Sequence, residues 1–295
     1  MSCSREGTSC SSGGCATSTM ENHSQAEGGN ADNELRERMG KIKHKILVLS
    51  GKGGVGKSTV AANVACSLAV KGFQTGLLDV DFHGPSIPTL LNLEGRPVYS
   101  GPAGLMPVEY NRGLKVMSMG FLLKNPDDAV IWRGPLKMQV MKQLLEEVMW
   151  GDLDYLIMDF PPGTGDEPLS IAQLIPDVDG AIIVTTPQNL SLNDVRKSIH
   201  FCHQVKIPVL GVIENMSGFI CPHCQGVIDV FKKGGGETMA ERMGVPFLGR
   251  IPMDPDIVEA SDAGVPFMGT QPVSKVSVAF DGMVDCLVGK IEKNI

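Results

Sequence analysis

The chain has 295 residues, a formal charge of −7, 42% hydrophobic and 20% charged side chains. That balance fits one large α/β domain with a tail, or two small domains, and it argues against a nucleic-acid protein, which needs a basic face. No apolar run approaches the roughly 20 residues that span a bilayer, and the polar N-terminus lacks the apolar core of a signal peptide. The expected location is therefore cytoplasmic, with no membrane or nucleic-acid partner. Eight cysteines in such a protein suggest metal chemistry or free thiols rather than a disulfide framework.

Residues 1–40 are rich in Ser, Gly, Thr, Asn and Glu and hold almost no aliphatic side chains. Such a stretch cannot bury enough surface to offset its ordering entropy and is expected to be a disordered tail, with a short helix near Glu34–Met39. Its Cys3, Cys10 and Cys15 are expected to be flexible reactive thiols. The folded domain is placed at 41–295.

Lys45–Ser50 is apolar and predicts the first strand, and Lys57–Lys71 predicts a helix stopped by Gly72. Between them lies Gly51-Lys52-Gly53-Gly54-Val55-Gly56-Lys57-Ser58-Thr59. Strand, glycine loop and helix in this order make a phosphate cradle: the glycines let backbone N–H groups turn inward, and the helix start adds its positive dipole end. Lys57 would reach the β- and γ-phosphates of ATP, and the Ser58 hydroxyl would bind Mg²⁺.

Thr75–Val80 predicts the next strand, and Asp79-Val80-Asp81-Phe82-His83-Gly84-Pro85-Ser86 follows at its carboxyl end, where open α/β sheets place ligand chemistry. His83 is expected to be a loop histidine. Ile87–Leu93 predicts a short helix, 95–108 a loop with a short hairpin, Leu114–Ser118 a strand, 120–135 a loop, and Leu136–Trp150 a helix with Val140, Leu144, Leu145 and Val148 on one face. Tyr155–Phe160 is an apolar strand in which Asp159 is a carboxylate suited to the Mg²⁺ shell. The Pro161-Pro162-Gly163-Thr164-Gly165 that follows is suited to move as a switch.

Gly180–Thr186 and Pro208–Asn215 predict further strands, with a helix over Leu190–Gln204. The second strand ends in Glu214-Asn215-Met216-Ser217, and beyond it comes Cys221-Pro222-His223-Cys224. Two thiolates on a tight turn can face one metal: a zinc knuckle, a redox pair and a cluster site all use this spacing. A closed site needs four ligands, which two copies of the chain would supply across a two-fold axis. Short helices at 237–243 and 256–263, a strand at 247–251, and a closing helix at 273–292 with Val276, Phe280, Met283, Leu287 and Ile291 on one face complete the chain. The expected fold is one doubly wound, mostly parallel α/β sheet with helices on both faces.

Lys52, an early second lysine in the loop, resembles the deviant P-loop ATPases: nitrogenase iron protein, the MinD and ParA group, the arsenite pump ATPase and the Mrp/ApbC iron–sulfur carriers. In that class the early lysine reaches the partner subunit's nucleotide, so the resemblance implies an ATP-dependent homodimer. The full order of P-loop, Asp79–Ser86, Asp159–Asp166, Glu214–Ser217 and Cys-x-x-Cys resembles the Mrp/ApbC family from about Lys41 onward. That resemblance implies ATP hydrolysis with Lys52, Lys57, Asp81 and Asp159 as catalytic residues, Asp81 orienting the attacking water and Asp79 supporting it. It further implies Asn215 on the adenine edge, a [4Fe–4S] cluster bridged by Cys221 and Cys224 of two subunits, and apo iron–sulfur proteins as recipients. A MinD/ParA-type spatial-organisation ATPase and a zinc-stapled dimer are the alternatives; the first lacks a membrane-binding helix or basic face here.

Overall fold

The computed structural model describes residues 35–293 except 83, 103, 124–133, 222, 225 and 269–273. The tail cysteines Cys3, Cys10 and Cys15, and His83, lie outside the described residues. Twelve strands are described. They are β1 (Ile42–Leu49), β2 (Thr75–Asp79), β3 (Ser100–Gly101), β4 (Gly104–Leu105), β5 (Val108–Asn111), β6 (Leu114–Ser118), β7 (Leu153–Asp159), β8 (Gly180–Thr185), β9 (Val209–Glu214), β10 (Phe219–Ile220), β11 (Val227–Ile228) and β12 (Phe247–Arg250).

Eight of these form one sheet in the order β12-β9-β8-β1-β7-β2-β6-β5. Every pairing is parallel except β5 with β6. Strands buried on both faces of a parallel sheet read as continuous apolar runs, and Ile46–Leu49 is such a run. Its alternate side chains feed two cores, Ile46 and Val48 on one side, Leu47 and Leu49 on the other.

The helices are α1 (residues 35–40), α2 (Lys57–Val70), α3 (Ile87–Leu90), α4 (Gly134–Glu147), α5 (Asp166–Leu174), α6 (Asn189–Gln204), α7 (Gly235–Met243), α8 (Pro255–Asp262) and α9 (Lys275–Lys293). Residues from α2, α3 and α9 fill one core, and residues from α1, α4, α5, α6 and α7 fill the other. The alanine-rich α2 is buried almost all round, as expected of a helix without a polar face. The stripe Val276, Phe280, Met283, Leu287 and Ile291 of α9 is buried as its spacing predicts.

The structure adds to the sequence expectations at three places. The short helix expected near Glu34–Met39 is α1, and it packs rather than hanging free: it turns Leu35 and Met39 onto one face and buries both in the core. Buried Lys45 fastens this helix to β1 by donating to the carbonyls of Met39 and Ile42 at 3.3 and 3.2 Å, the first of them an otherwise orphaned helix-end acceptor. The switch-like Pro-Pro-Gly stretch runs directly into α5, a helix not anticipated from its mixed composition. The 95–108 stretch contains the expected short hairpin, β3–β4, and then gives Val108 to the antiparallel edge strand β5.

Candidate nucleotide and thiol site

All the sequence-predicted groups of the P-loop, the Asp79–Asp81 turn, Asp159 and Asn215 gather at the carboxyl ends of the parallel strands. The order reverses around β1, which lies between β7 and β8, so the crevice above it is the topological switch point of the sheet. Gly51 fits here because a Cβ would lie 2.5 Å from the Asp194 backbone of α6. Gly56 has φ +80°, and a Cβ on it would meet the Asn215 amide nitrogen at 2.3 Å; both facts demand glycine. Gly53 and Gly54 are exposed, with nothing within 4 Å of a would-be Cβ, so the cradle has room over them. Val55 is buried, and Lys52 is half-buried with its carbonyl accepting from the Ser50 hydroxyl at 3.0 Å.

Lys57 is buried at the first turn of α2. Its Nζ lies 2.6 Å from Asp159 Oδ1, 3.8 Å from Asp81 Oδ2 and 3.3 Å from the Ser58 hydroxyl. Asp159 is fully buried, and burial pushes its carboxyl up while Lys57 pulls it back down. Register aligns Asp79 of β2 with Asp159 of β7. Asp79 is likewise fully buried, and desolvation, then the neighbouring Asp159 charge, push it up to about 7. Its oxygens accept from the Asp81 amide at 3.1 Å, the Ile87 amide at 3.3 Å and the Ser118 hydroxyl at 2.9 Å. Asp79 thus braces the turn that presents Asp81, a residue only 8% exposed. The Gly163 amide donates to the Ser50 carbonyl at 2.8 Å, tying the stretch after β7 to the P-loop.

A cavity of about 250 Å³ is lined by Lys52, Gly53, Gly54, Lys57, Ser58 and Asp81 among others. A second, apolar cleft of about 430 Å³ shares Gly56 and Thr59 with it and continues past Asn63, Asn215, Phe219 and the Ile251–Pro255 loop. The Asn215 amide nitrogen donates to the Val55 carbonyl at 2.9 Å, so this residue pins the end of β9 to the P-loop and forms part of the cleft wall. Mg²⁺ fits this donor set: Asp159 Oδ2 is buried without a hydrogen-bond partner, and the Ser58 hydroxyl reaches the same carboxylate.

Cys221 and Cys224 sit on the turn of the β10–β11 hairpin, which the Cys221 amide closes onto the Gly226 carbonyl at 3.0 Å. Cys221 is half-buried and Cys224 exposed. Backbone N–H groups of Cys224, then His223, and the Cys224 thiol hydrogen bond the Cys221 sulfur and hold its pKa below that of an ordinary thiol. Among the described residues, no three His, Cys, Asp or Glu side chains form a metal-holding group. Burial pushes the Cys66 and Cys202 thiols up to about 12, as expected of core cysteines.

Sequence reasoning passed over Glu214 and Ser118. Glu214 is fully buried at the end of β9 and accepts from the Ser217 hydroxyl and the amides of Gly234 and Gly236 at 2.5, 2.9 and 2.5 Å. An acid closing an apolar strand is the same signal that marks Asp159, and it would have found Glu214.

The family model for the NUBPL iron-transfer P-loop NTPases, of the ParA group, matches residues 41–288. The chain belongs to this family. The motif resemblance to iron–sulfur carriers is thereby borne out. The chain is 52% identical over 261 residues to an iron–sulfur cluster carrier protein of Methanocaldococcus jannaschii, covering 88% of this chain and 89% of that protein. It is 44% identical over 284 residues to a carrier of the same description from Methanococcus maripaludis, covering 96% and 97%. A nucleotide-binding protein of Archaeoglobus fulgidus, solved in complex with ADP, superposes with a TM-score of 0.71 at 40% identity, over 83% of this chain and 98% of that one. The cell division ATPase MinD of Pyrococcus furiosus matches at TM-score 0.62 and 24% identity over 86% of this chain and all of the other, a likeness of fold alone.

Among the described residues no helix is long and apolar enough to cross a membrane.

Proposed function

We propose that this iron-transfer P-loop NTPase binds and hydrolyses ATP and carries a [4Fe–4S] cluster held between two copies of the chain, for delivery to apoproteins. The observation that carries the reading is the pairing of a surface thiol hairpin with the nucleotide crevice: Phe219 lines the apolar cleft, and Cys221 follows two residues later. Two thiols supply half of the ligands that a cluster needs, and a homodimer supplies the rest. The iron–sulfur carriers named above, which match nearly the whole chain, support the cargo, and the ADP complex of the Archaeoglobus protein supports the nucleotide.

In this reading the P-loop amides and Lys57 bind the phosphates. Lys52 extends from the loop toward the partner's nucleotide. Asp81, held by Asp79, orients the attacking water. Ser58 and Asp159 would hold Mg²⁺, which when bound with ATP supplies positive charge to the phosphate oxygens. Asn215, with its nitrogen committed to Val55, offers its oxygen to the exocyclic amine of adenine. The surrounding Pro252–Pro255 loop and Phe219 give the base an apolar bed.

The test is anaerobic reconstitution with iron and sulfide of the wild type and of the Cys221→Ala/Cys224→Ala variant. The wild type is expected to bind cluster and the variant to bind none while still binding ATP. Full cluster content in the variant would reject the site.

A further inference from the structure

The geometry points to Glu214 as the positioning residue that clamps the cysteine hairpin to the base cleft, so that a nucleotide in the cleft is felt at Cys221 and Cys224. This rests on the reading that the cleft takes the base and that these thiols hold the cluster.

The excursion that carries β10, both cysteines and β11 leaves the sheet at Ser217 and returns at Gly234. One carboxylate holds both ends. Glu214 Oε1 accepts from the Ser217 hydroxyl at 2.5 Å and from the Gly234 amide at 2.9 Å, while Oε2 accepts from the Gly236 amide at 2.5 Å. Arg250 Nε stands 3.5 Å from the same carboxylate, and the Arg250 guanidinium is itself paired with Glu237 and lies over the Phe247 ring. A buried carboxylate holding three donors is a rigid anchor, because each charge-assisted bond is strong.

Between the anchored ends, the chain passes along the cleft before it reaches the thiols. Met216 takes a left-handed φ of +56° that a non-glycine residue rarely adopts, and its side chain lines the cleft. The Gly218 carbonyl accepts from the Met253 amide at 2.8 Å, and Phe219 bridges to Met253. Phe219 then pairs with Ile228 across the hairpin. A base seated in the cleft touches Phe219 and Met216. With both roots of the excursion fixed, the displacement cannot be absorbed at its base and passes into the hairpin.

The clamp is tested on the full chain, purified free of metal, by timed alkylation with iodoacetamide and peptide mass mapping, with and without saturating Mg-ADP. Exposed Cys286 on α9 is the internal reference. In the wild type, ADP is expected to change the alkylation rate of Cys221 and Cys224 relative to Cys286 about five-fold or more, the scale of ordinary intersite coupling. In Glu214→Gln, calorimetry is expected to show retained ADP binding while the rate ratio falls close to one. A merely structural role would lower the melting temperature without uncoupling the two readouts.

An unchanged ratio in Glu214→Gln would overturn the clamp, as would loss of ADP binding in a folded Glu214→Gln. Should that variant not fold, Ser217→Ala removes one donor and keeps the two amides. A ratio cut by half or more then supports the clamp, and an unchanged ratio overturns it. Wild-type protein that binds ADP and cluster but shows a flat ratio rejects the clamp alone, whereas wild type that never binds ADP rejects the nucleotide reading itself.

Discussion

Lys57 Nζ lies 2.6 Å from Asp159 Oδ1, both side chains nearly or wholly withdrawn from water. The lysine of the phosphate cradle and the acid at the end of β7 therefore stabilise one another as well as facing the ligand crevice. Removing one partner of a buried pair strands the other charge, which costs about 3–5 kcal/mol. Lys57→Met is expected to lower stability on that scale in nucleotide-free urea unfolding. The double variant Lys57→Met/Asp159→Asn should lose less than Lys57→Met alone, because the carboxylate nearest the lost ammonium is removed with it. A double variant as unstable as the sum of the singles would contradict the pairing.

Asp79 makes stability depend on pH, with a definite sign. Burial and the neighbouring Asp159 raise its folded-state pKa from 3.8 to about 7. Below pH 4 both folded and unfolded chains are protonated here. As pH rises through the interval between the two values, the unfolded chain releases its proton first, so the folded chain holds more protons and stability falls. The unfolding free energy of the wild type minus that of Asp79→Asn should therefore decline from about pH 4 to about pH 7, by at most about 1.4 kcal/mol per pH unit. The measurement is chemical denaturation in chelator across that range. A difference that is flat or rises with pH would count against the buried acid.

Gly56 and Gly53 separate shape from stability. Gly56→Ala forces an alanine into φ +80° and drives its methyl into the Asn215 amide. A left-handed non-glycine residue costs about 1–3 kcal/mol, and the displaced Asn215 should weaken ATP binding at least about ten-fold, or about 1.4 kcal/mol. Gly53→Ala meets nothing within 4 Å. Its stability should stay within about 0.5 kcal/mol of wild type while the methyl intrudes on the phosphate cradle and weakens nucleotide. Calorimetric titration beside thermal melts reads both. Equal destabilisation by the two substitutions would refute the assignment of Gly56.

The parts of this molecule that are legible in the sequence are those where local pattern and chemistry coincide. The P-loop needs particular glycines at particular places, and an apolar run ending in Asp159 announces both a buried strand and the end of it that faces the crevice. The α9 stripe is equally plain because packing follows its 3.6-residue period. Less legible are features that depend on distant partners. The short helix at 35–40 shows in the sequence, but Leu35 and Met39 are two apolar residues at the edge of a polar tail, and only the core that receives them reveals that the helix packs. Ser118 gains its meaning from Asp79, 39 residues away in sequence but adjacent in the sheet. Glu214 looks like a strand-end acid, and its task emerges only when Ser217, Gly234 and Gly236 are seen to meet on it. The β5 edge strand is short and half-polar, so neither period nor composition separates it from a loop.

The central question for this protein is whether two chains share one cluster. Native mass spectrometry of anaerobically reconstituted protein, paired with iron and sulfide analysis, measures this directly. The expected result is a two-chain species carrying about four iron and four sulfide, reduced to chains without iron when Cys221 and Cys224 are replaced by alanine. Single chains that never take up iron, with ATP present, would contradict it.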